Sequence, residues 1–364
     1  MNKLFFLILL VNCGSIFPPD KIVTLKDSLN NRVINNYDKT DTVKINFATL
    51  RKTNGFNPSC TNAYYTNQME KEKEKFGSCM ISVPQNHEIG TLDQDPKGTN
   101  KDDYFQIQAH QSISNIDSLV NEVNQNSFEE VIVFVHGFNV KFEEAILRAA
   151  QIKFDLKFSG ELVLYTWPAG ADDGILNALM IKSTYLDNKQ NAENSITHFK
   201  NFLDKISKTN KKVHLIVHSM GHQMVIPAIN QLQEANRAKF LSQVIFNAPD
   251  FDSDLFEKIY QNISASADRV TIYCSPGDNA LVASKQVNST PRVGSCKKFS
   301  GIDMINVNPV DAPVMGIAGL GHGYYSSRAI ITDLYQVILG VDARKRLFIR
   351  SSGEKNGENF VLRR

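Results

Sequence analysis

From Glu129 onward, two patterns alternate along the chain, and few folds satisfy both. Short apolar runs stop at Gly, Pro or polar residues: "EEVIVFVHG" from Glu129, "ELVLYTWP" from Glu161, "KVHLIVHS" from Lys212, "SQVIFNAP" from Ser242, "RVTIYCS" from Arg269 and "DMINVN" from Asp303. Between them lie stretches with helical periodicity: "KFEEAILRAAQIKFDLKF" from Lys141, "NSITHFKNFLDKISKTN" from Asn194, "GHQMVIPAINQLQEAN" from Gly221 and "YSSRAIITDLYQVILG" from Tyr325. A strand with no polar alternation is covered on both faces, and strands joined through helices run parallel. The pattern therefore predicts an α/β domain over residues 126–340, with a mostly parallel central sheet and helices on both faces. Ligands of such sheets bind at the edge formed by the strand C-terminal ends.

The rest of the chain reads differently. Residues 1–19 read as a signal segment: Lys3 precedes an apolar run, Leu4 to Val11, well short of the roughly 20 residues that span a bilayer. Cys13, followed by Gly14 and Ser15, resembles the acylated cysteine of a bacterial lipoprotein, although Asn12 departs from the usual small residue before it. A plain secretory signal is the other reading. Residues 20–125 are polar and interrupted, and read as an N-terminal extension partly packed on the core, with "TVKINFATL" and "SCMISVP" as short strands. Residues 341–364 read as a basic, flexible tail.

Four further cysteines, Cys60, Cys79, Cys274 and Cys296, allow three connectivities in an exported protein. Pairing within each polar segment, Cys60 with Cys79 and Cys274 with Cys296, is the expected one. A net charge of +2, with no basic patch interleaved with aromatics, gives no reason to expect a nucleic-acid partner. No His/Cys cluster has metal-ligand spacing.

Ser219 stands where an apolar strand turns into a helix, with Gly221 two residues on. Such a turn lifts a hydroxyl above the sheet and aims helix N-terminal amides at it, which is what a nucleophilic serine requires. Gly221 lets helix and strand approach closely. Val217 departs from the small residue usual two positions earlier, and crowds the turn. An earlier strand ends in His136 and Gly137, the usual start of an oxyanion loop; the amides of Phe138 and Met220 are the expected donors, with His136 bracing the loop. An acid and a base should follow in chain order. Asp278 lies beyond "TIYCS" and His322 stands between Gly321 and Gly323, both after strands of the same sheet. Asp250 and Asp252, after the preceding strand, are the alternative acids, or caps of the next helix. His218 and His222 are expected to pack or to rim the site.

The blocks "FGSCMISVPQNHEIGTLD", "VFVHGFNVKFEEAILRAAQIKFDL", "YTWPAG", "HLIVHSMG", "NAPDFD", "TIYCSPGDNAL" and "GLGHGYY" together resemble the α/β-hydrolase family catalogued as domain of unknown function 900. The resemblance implies an α/β-hydrolase fold and a Ser219, Asp278, His322 triad, and no particular substrate. The chemistry expected is acyl transfer to water on a small-molecule or lipid ester, without a cofactor. The competing reading is a surface-anchored, catalytically inactive binding protein on the same fold, which Val217 would favour.

Overall fold

The structure is a computed structural model describing residues 41–70, 72–92, 102–171, 178–235, 238–308, 323–353 and 357–363. His322 and Cys13 lie outside the described residues. The strands are β1 (Thr42–Thr49), β2 (Arg51–Thr53), β3 (Tyr65–Met69), β4 (Lys75–Ser82), β5 (Gln106–Ile113), β6 (Glu130–Val135), β7 (Glu161–Thr166), β8 (Lys212–His218), β9 (Leu241–Asn247), β10 (Ala267–Cys274), β11 (Asp303–Asn306), β12 (Ile349–Ser351) and β13 (Phe360–Leu362). The helices are α1 (Ile116–Gln125), α2 (Phe142–Asp155), α3 (Ala178–Asn194), α4 (Ile196–Ile206), α5 (His222–Glu234), α6 (Ser253–Ala265), α7 (Asn279–Asn288) and α8 (Arg328–Ile338).

Among the described residues one 11-stranded sheet runs in the order β12-β13-β11-β10-β9-β8-β6-β7-β1-β4-β5. From β13 to β1 every neighbouring pair is parallel; β1–β4, β4–β5 and β12–β13 are antiparallel. Side chains alternate between two cores, as the pleat dictates. Val131, Val133 and Val135 of β6 meet α1, α4, α5 and α6 on one face, while Ile132 and Phe134 meet α2 and α8 on the other. The expected layering is what the structure has.

Two boundaries need correction. Strands β1, β4 and β5 are part of the main sheet rather than an extension leaning on it, while β2 and β3 pair with each other apart from it: β1 lies between β7 and β4, buried along most of its length. Its polar positions hid this, because their partners lie on elements distant in sequence. Lys44 pairs with Glu122, Asn46 Nδ2 donates to Glu161 at 3.3 Å, and Thr49 Oγ1 donates to the Thr166 carbonyl at 2.6 Å. The C-terminal stretch is not a frayed tail either. β12 and β13 extend the sheet past β11, and Arg346 is buried against Asp333 at 3.3 Å. Strands of three residues leave too short a pattern to read, and a basic residue announces no burial until its carboxylate partner is known.

The cysteines pair as expected, Cys60–Cys79 and Cys274–Cys296, with Cα separations of 6.2 and 5.2 Å. Helix α3 has no counterpart in the sequence reading, because "ALMIKSTYLDNKQNAEN" carries little apolar periodicity.

Candidate active site

β6, β8, β9 and β10 are adjacent and parallel, so the segments after them share one edge of the sheet. Those segments carry His136 to Phe138, Ser219 to Gly221, Asp250 and Asp252, and Asp278. Each of these sequence-predicted site residues therefore follows a strand at that one edge.

Ser219 has φ +50°, in the left-handed region that a side chain occupies only at a cost of about 1–2 kcal/mol. It opens a single 3-10 turn, Ser219–Gly221, that leads straight into α5. Strain of this kind persists only where surrounding structure enforces it, and it collects at functional sites. Two glycines enforce the geometry. A Cβ on Gly137 would stand 2.8 Å from both Ser219 Cβ and His218 Nδ1. A Cβ on Gly221 would stand 2.7 Å from the His136 carbonyl oxygen and 3.3 Å from Val217 Cγ1. The loop after β6 thus lies directly against the serine turn, and the missing side chain of Gly221 accommodates Val217, which is buried in the core.

The candidate oxyanion donors sit at this junction: Met220 is buried and Phe138 half-buried, its ring 5.9 Å from that of Tyr185. His136 is buried, stacked on Trp167 at 5.4 Å, and bonded through both ring nitrogens: Nδ1 to the Gly137 carbonyl and Nε2 to Thr166 Oγ1, each at 3.0 Å. Burial, aided by the Arg51 charge, pushes its pKa down to about 3, so the ring is neutral and braces the loop without acting as a base. The other neighbours of the serine are packed. His218 stacks on Tyr325 at 3.7 Å, and His222 stands edge-on to Phe246 while Nδ1 donates to the Ser219 carbonyl at 2.6 Å.

The three candidate acids have different surroundings. Asp252 caps α6, accepting from the amides of Asp254 and Leu255 at 2.8 and 2.9 Å. Asp278 caps α7 with one oxygen, Oδ1 accepting from the amides of Ala280 and Leu281 at 3.0 and 3.1 Å. Asp250 is held by both oxygens: Oδ1 lies 3.2 Å from Arg292 Nε and accepts from Ser284 at 2.5 Å, while Oδ2 accepts from Tyr185 at 2.9 Å. The segment bearing Arg292 is itself tied down. The Ser275 amide donates to Gly294, the Gly294 amide donates to Pro249, and the Cys274–Cys296 disulfide closes the loop. Tyr185, Ser284 and Arg292 escaped the sequence reading, because no local pattern announces a partner on another element. Arg51 escaped for the same reason. It is buried below the oxyanion loop, and burial pulls its pKa down to about 9 against the opposing pull of Glu144.

A parallel sheet with helices on both faces, and a strained serine at the turn from strand to helix, define the chain as an α/β hydrolase. Residues 111–341 match the family described as alpha/beta hydrolase of unknown function (DUF900), and the chain belongs to that family. No curated protein matches it. Among solved structures it is similar to a monoclinic form of Pyrobaculum calidifontis esterase, at 9% identity and a TM-score of 0.29 over 80% of this chain and 84% of that one. It is also similar to a structure titled hyperthermophilic esterase from the archeon Pyrobaculum calidifontis, at 10% identity and a TM-score of 0.33 over 89% and 91%. Scores this low carry no argument about this chain's chemistry.

Proposed function

We propose that the protein is a serine hydrolase that cleaves an ester through an acyl-enzyme. Ser219 is the nucleophile, His322 the base that takes its proton, and Asp278 the acid that orients the imidazole. The amides of Phe138 and Met220 hold the oxyanion. The single observation that carries this reading is the left-handed φ of Ser219, +50°, at the C-terminal end of β8, with Gly137 of the neighbouring loop set against it. Asp278 is favoured over Asp250 because it follows the next strand, β10, and because Asp250 spends both oxygens on Arg292, Ser284 and Tyr185. His322 passes the serine proton to the departing alcohol, then takes one from the water that attacks the acyl-enzyme and gives it to Ser219 as the acid leaves.

A fluorophosphonate tests the reading directly. It should modify the wild-type chain at the peptide containing Ser219 and leave the Ser219→Ala variant unmodified, while p-nitrophenyl ester hydrolysis is lost in that variant. A folded Ser219→Ala protein with wild-type esterase activity would exclude the mechanism.

Disulfides persist in oxidising compartments, and the two present here fit a protein that leaves the cytoplasm. We infer that the apolar run after Lys3 directs export and that Cys13 carries the lipid anchor, residues 18–41 acting as a tether. Among the described residues no helix is long and apolar enough to cross a membrane. Mass spectrometry of the mature N-terminus decides the point: a diacylglyceryl group on Cys13 is expected, and an unmodified terminus downstream of it rejects the anchor.

A further inference from the structure

A peptide group is planar and trans, so its carbonyl and its N–H point in opposite directions. The two candidate oxyanion donors belong to peptides whose carbonyls are each gripped by a buried histidine. The Phe138 amide shares its peptide with the Gly137 carbonyl, which lies 3.0 Å from His136 Nδ1. The Met220 amide shares its peptide with the Ser219 carbonyl, which lies 2.6 Å from His222 Nδ1 and 3.3 Å from the Asp250 amide. A carbonyl can only accept, so in each ring the proton sits on Nδ1. Rotating either peptide to turn its N–H away from the site breaks a buried hydrogen bond.

The bonds around His136 run on to a more distant residue. Arg51 Nε can only donate, and it donates to Thr166 Oγ1 at 3.0 Å. A hydroxyl oxygen can accept twice, so the second bond is fixed by the neutral ring: with Nδ1 donating to the Gly137 carbonyl, Thr166 directs its own proton at His136 Nε2, at 3.0 Å. That nitrogen presents a lone pair, and the bond keeps the ring proton on Nδ1, facing the Gly137 carbonyl. The same guanidinium holds both ends of the surrounding backbone, donating to the Val140 carbonyl at 2.8 Å and to the Ala169 carbonyl at 2.9 Å. Burial above all, and the guanidinium's positive charge after it, keep His136 from taking a second proton, which would cost Thr166 its acceptor.

We infer that Arg51, Thr166, His136 and His222 are positioning residues for the oxyanion hole: they lock the two donor peptides, with Thr166 holding the tautomer of His136 and Arg51 holding Thr166. The inference rests on the serine-hydrolase reading and adds to it four residues that touch no substrate.

Removing Arg51 disturbs too many acceptors to isolate the effect, so Thr166 is the position to vary. Thr166→Val keeps the shape and removes the hydroxyl; Thr166→Ser keeps the hydroxyl. Both are compared with the full-length wild-type chain on a p-nitrophenyl ester, with kcat expressed per serine titrated by fluorophosphonate. A hole that is mispositioned loses transition-state binding and little ground-state binding, so Thr166→Val should lose about 10²-fold in kcat. Its KM should stay within about twofold. Thr166→Ser should recover most of the loss, which a packing defect would not. Imidazole ¹⁵N shifts supply a readout independent of turnover: His136 should carry its proton on Nδ1 in the wild type and become a tautomer mixture in Thr166→Val. An unchanged kcat in Thr166→Val, or a wild-type His136 protonated on Nε2, overturns the inference while the hydrolase stands. A wild-type chain that fails to label with fluorophosphonate overturns the hydrolase reading and the oxyanion role together.

Discussion

Exchanging each of two carboxylates for its amide separates the acid of the triad from a structural ion pair. Asp250 and Arg292 form a buried pair, their side chains 4% and 2% exposed, and the carboxylate also accepts from Ser284 and Tyr185. Asp250→Asn removes the counter-charge and strands a buried guanidinium, which costs about 3–5 kcal/mol. At roughly 2–4 °C per kcal/mol for a domain of this size, Tm should fall by about 6–20 °C. Asp278→Asn behaves in the opposite way. Asparagine caps a helix about as well as aspartate, so the bonds to Ala280 and Leu281 can be kept. Losing the charge at the N-terminus of α7 costs only about 0.3–1 kcal/mol. If Asp278 orients His322, however, its amide presents the wrong partner to the imidazole and kcat should fall by about 10⁴. Thermal unfolding followed by circular dichroism, together with ester hydrolysis per folded molecule, measures both quantities. Asp250→Asn should be unstable yet within about tenfold of wild-type turnover, and Asp278→Asn stable and nearly inactive. A stable, inactive Asp250→Asn beside an active Asp278→Asn would refute the assignment and move the acid to the end of β9.

Other outcomes follow from single residues. Ser219→Gly and Ser219→Ala both lack the hydroxyl, but only glycine relieves the positive φ, so the glycine variant should be more stable by about 1 kcal/mol in urea titrations, both being inactive. Equal stabilities would mean that the turn is not strained. Burial raises the Glu74 pKa to about 7, against a hydrogen bond from Tyr165 that lowers it. The native state therefore holds a proton that the unfolded chain releases near pH 4.5. This group's contribution is full below about pH 4.5 and lost as pH rises through 7, a change of about 3 kcal/mol. Glu74→Gln should remove that dependence and be the more stable protein at pH 8; parallel pH–stability curves for the two would contradict the shift. Gly137→Ala would set a methyl group 2.8 Å from Ser219 Cβ, and should lower kcat at least tenfold while its fluorophosphonate labelling slows to match; wild-type labelling kinetics would show that loop and serine are not in contact.

Much of this protein is written locally. The apolar runs of β6 and β8 to β10, the periodicity of α2 and α5, and the glycine after Ser219 act on residues within a turn or a strand length of themselves. Periodicity reads such information directly, and it was enough to place the serine, all three candidate acids and the oxyanion loop on one sheet edge. The Cys60–Cys79 and Cys274–Cys296 pairs were legible for a similar reason, since each closes a short loop. What the chain did not disclose depends on partners distant in sequence. Lys44 and Asn46 made β1 look like a short strand of an extension until Glu122 and Glu161 stood beside them in space. Arg346 marked a basic tail until Asp333 was found against it. Arg51, 115 residues from the Thr166 it bonds, reads as an ordinary surface cation, and only the folded structure makes it the buried donor beneath the oxyanion loop. A polar side chain carries no sign of its own burial; that is decided by the group that satisfies it, and tertiary structure alone brings that group within reach.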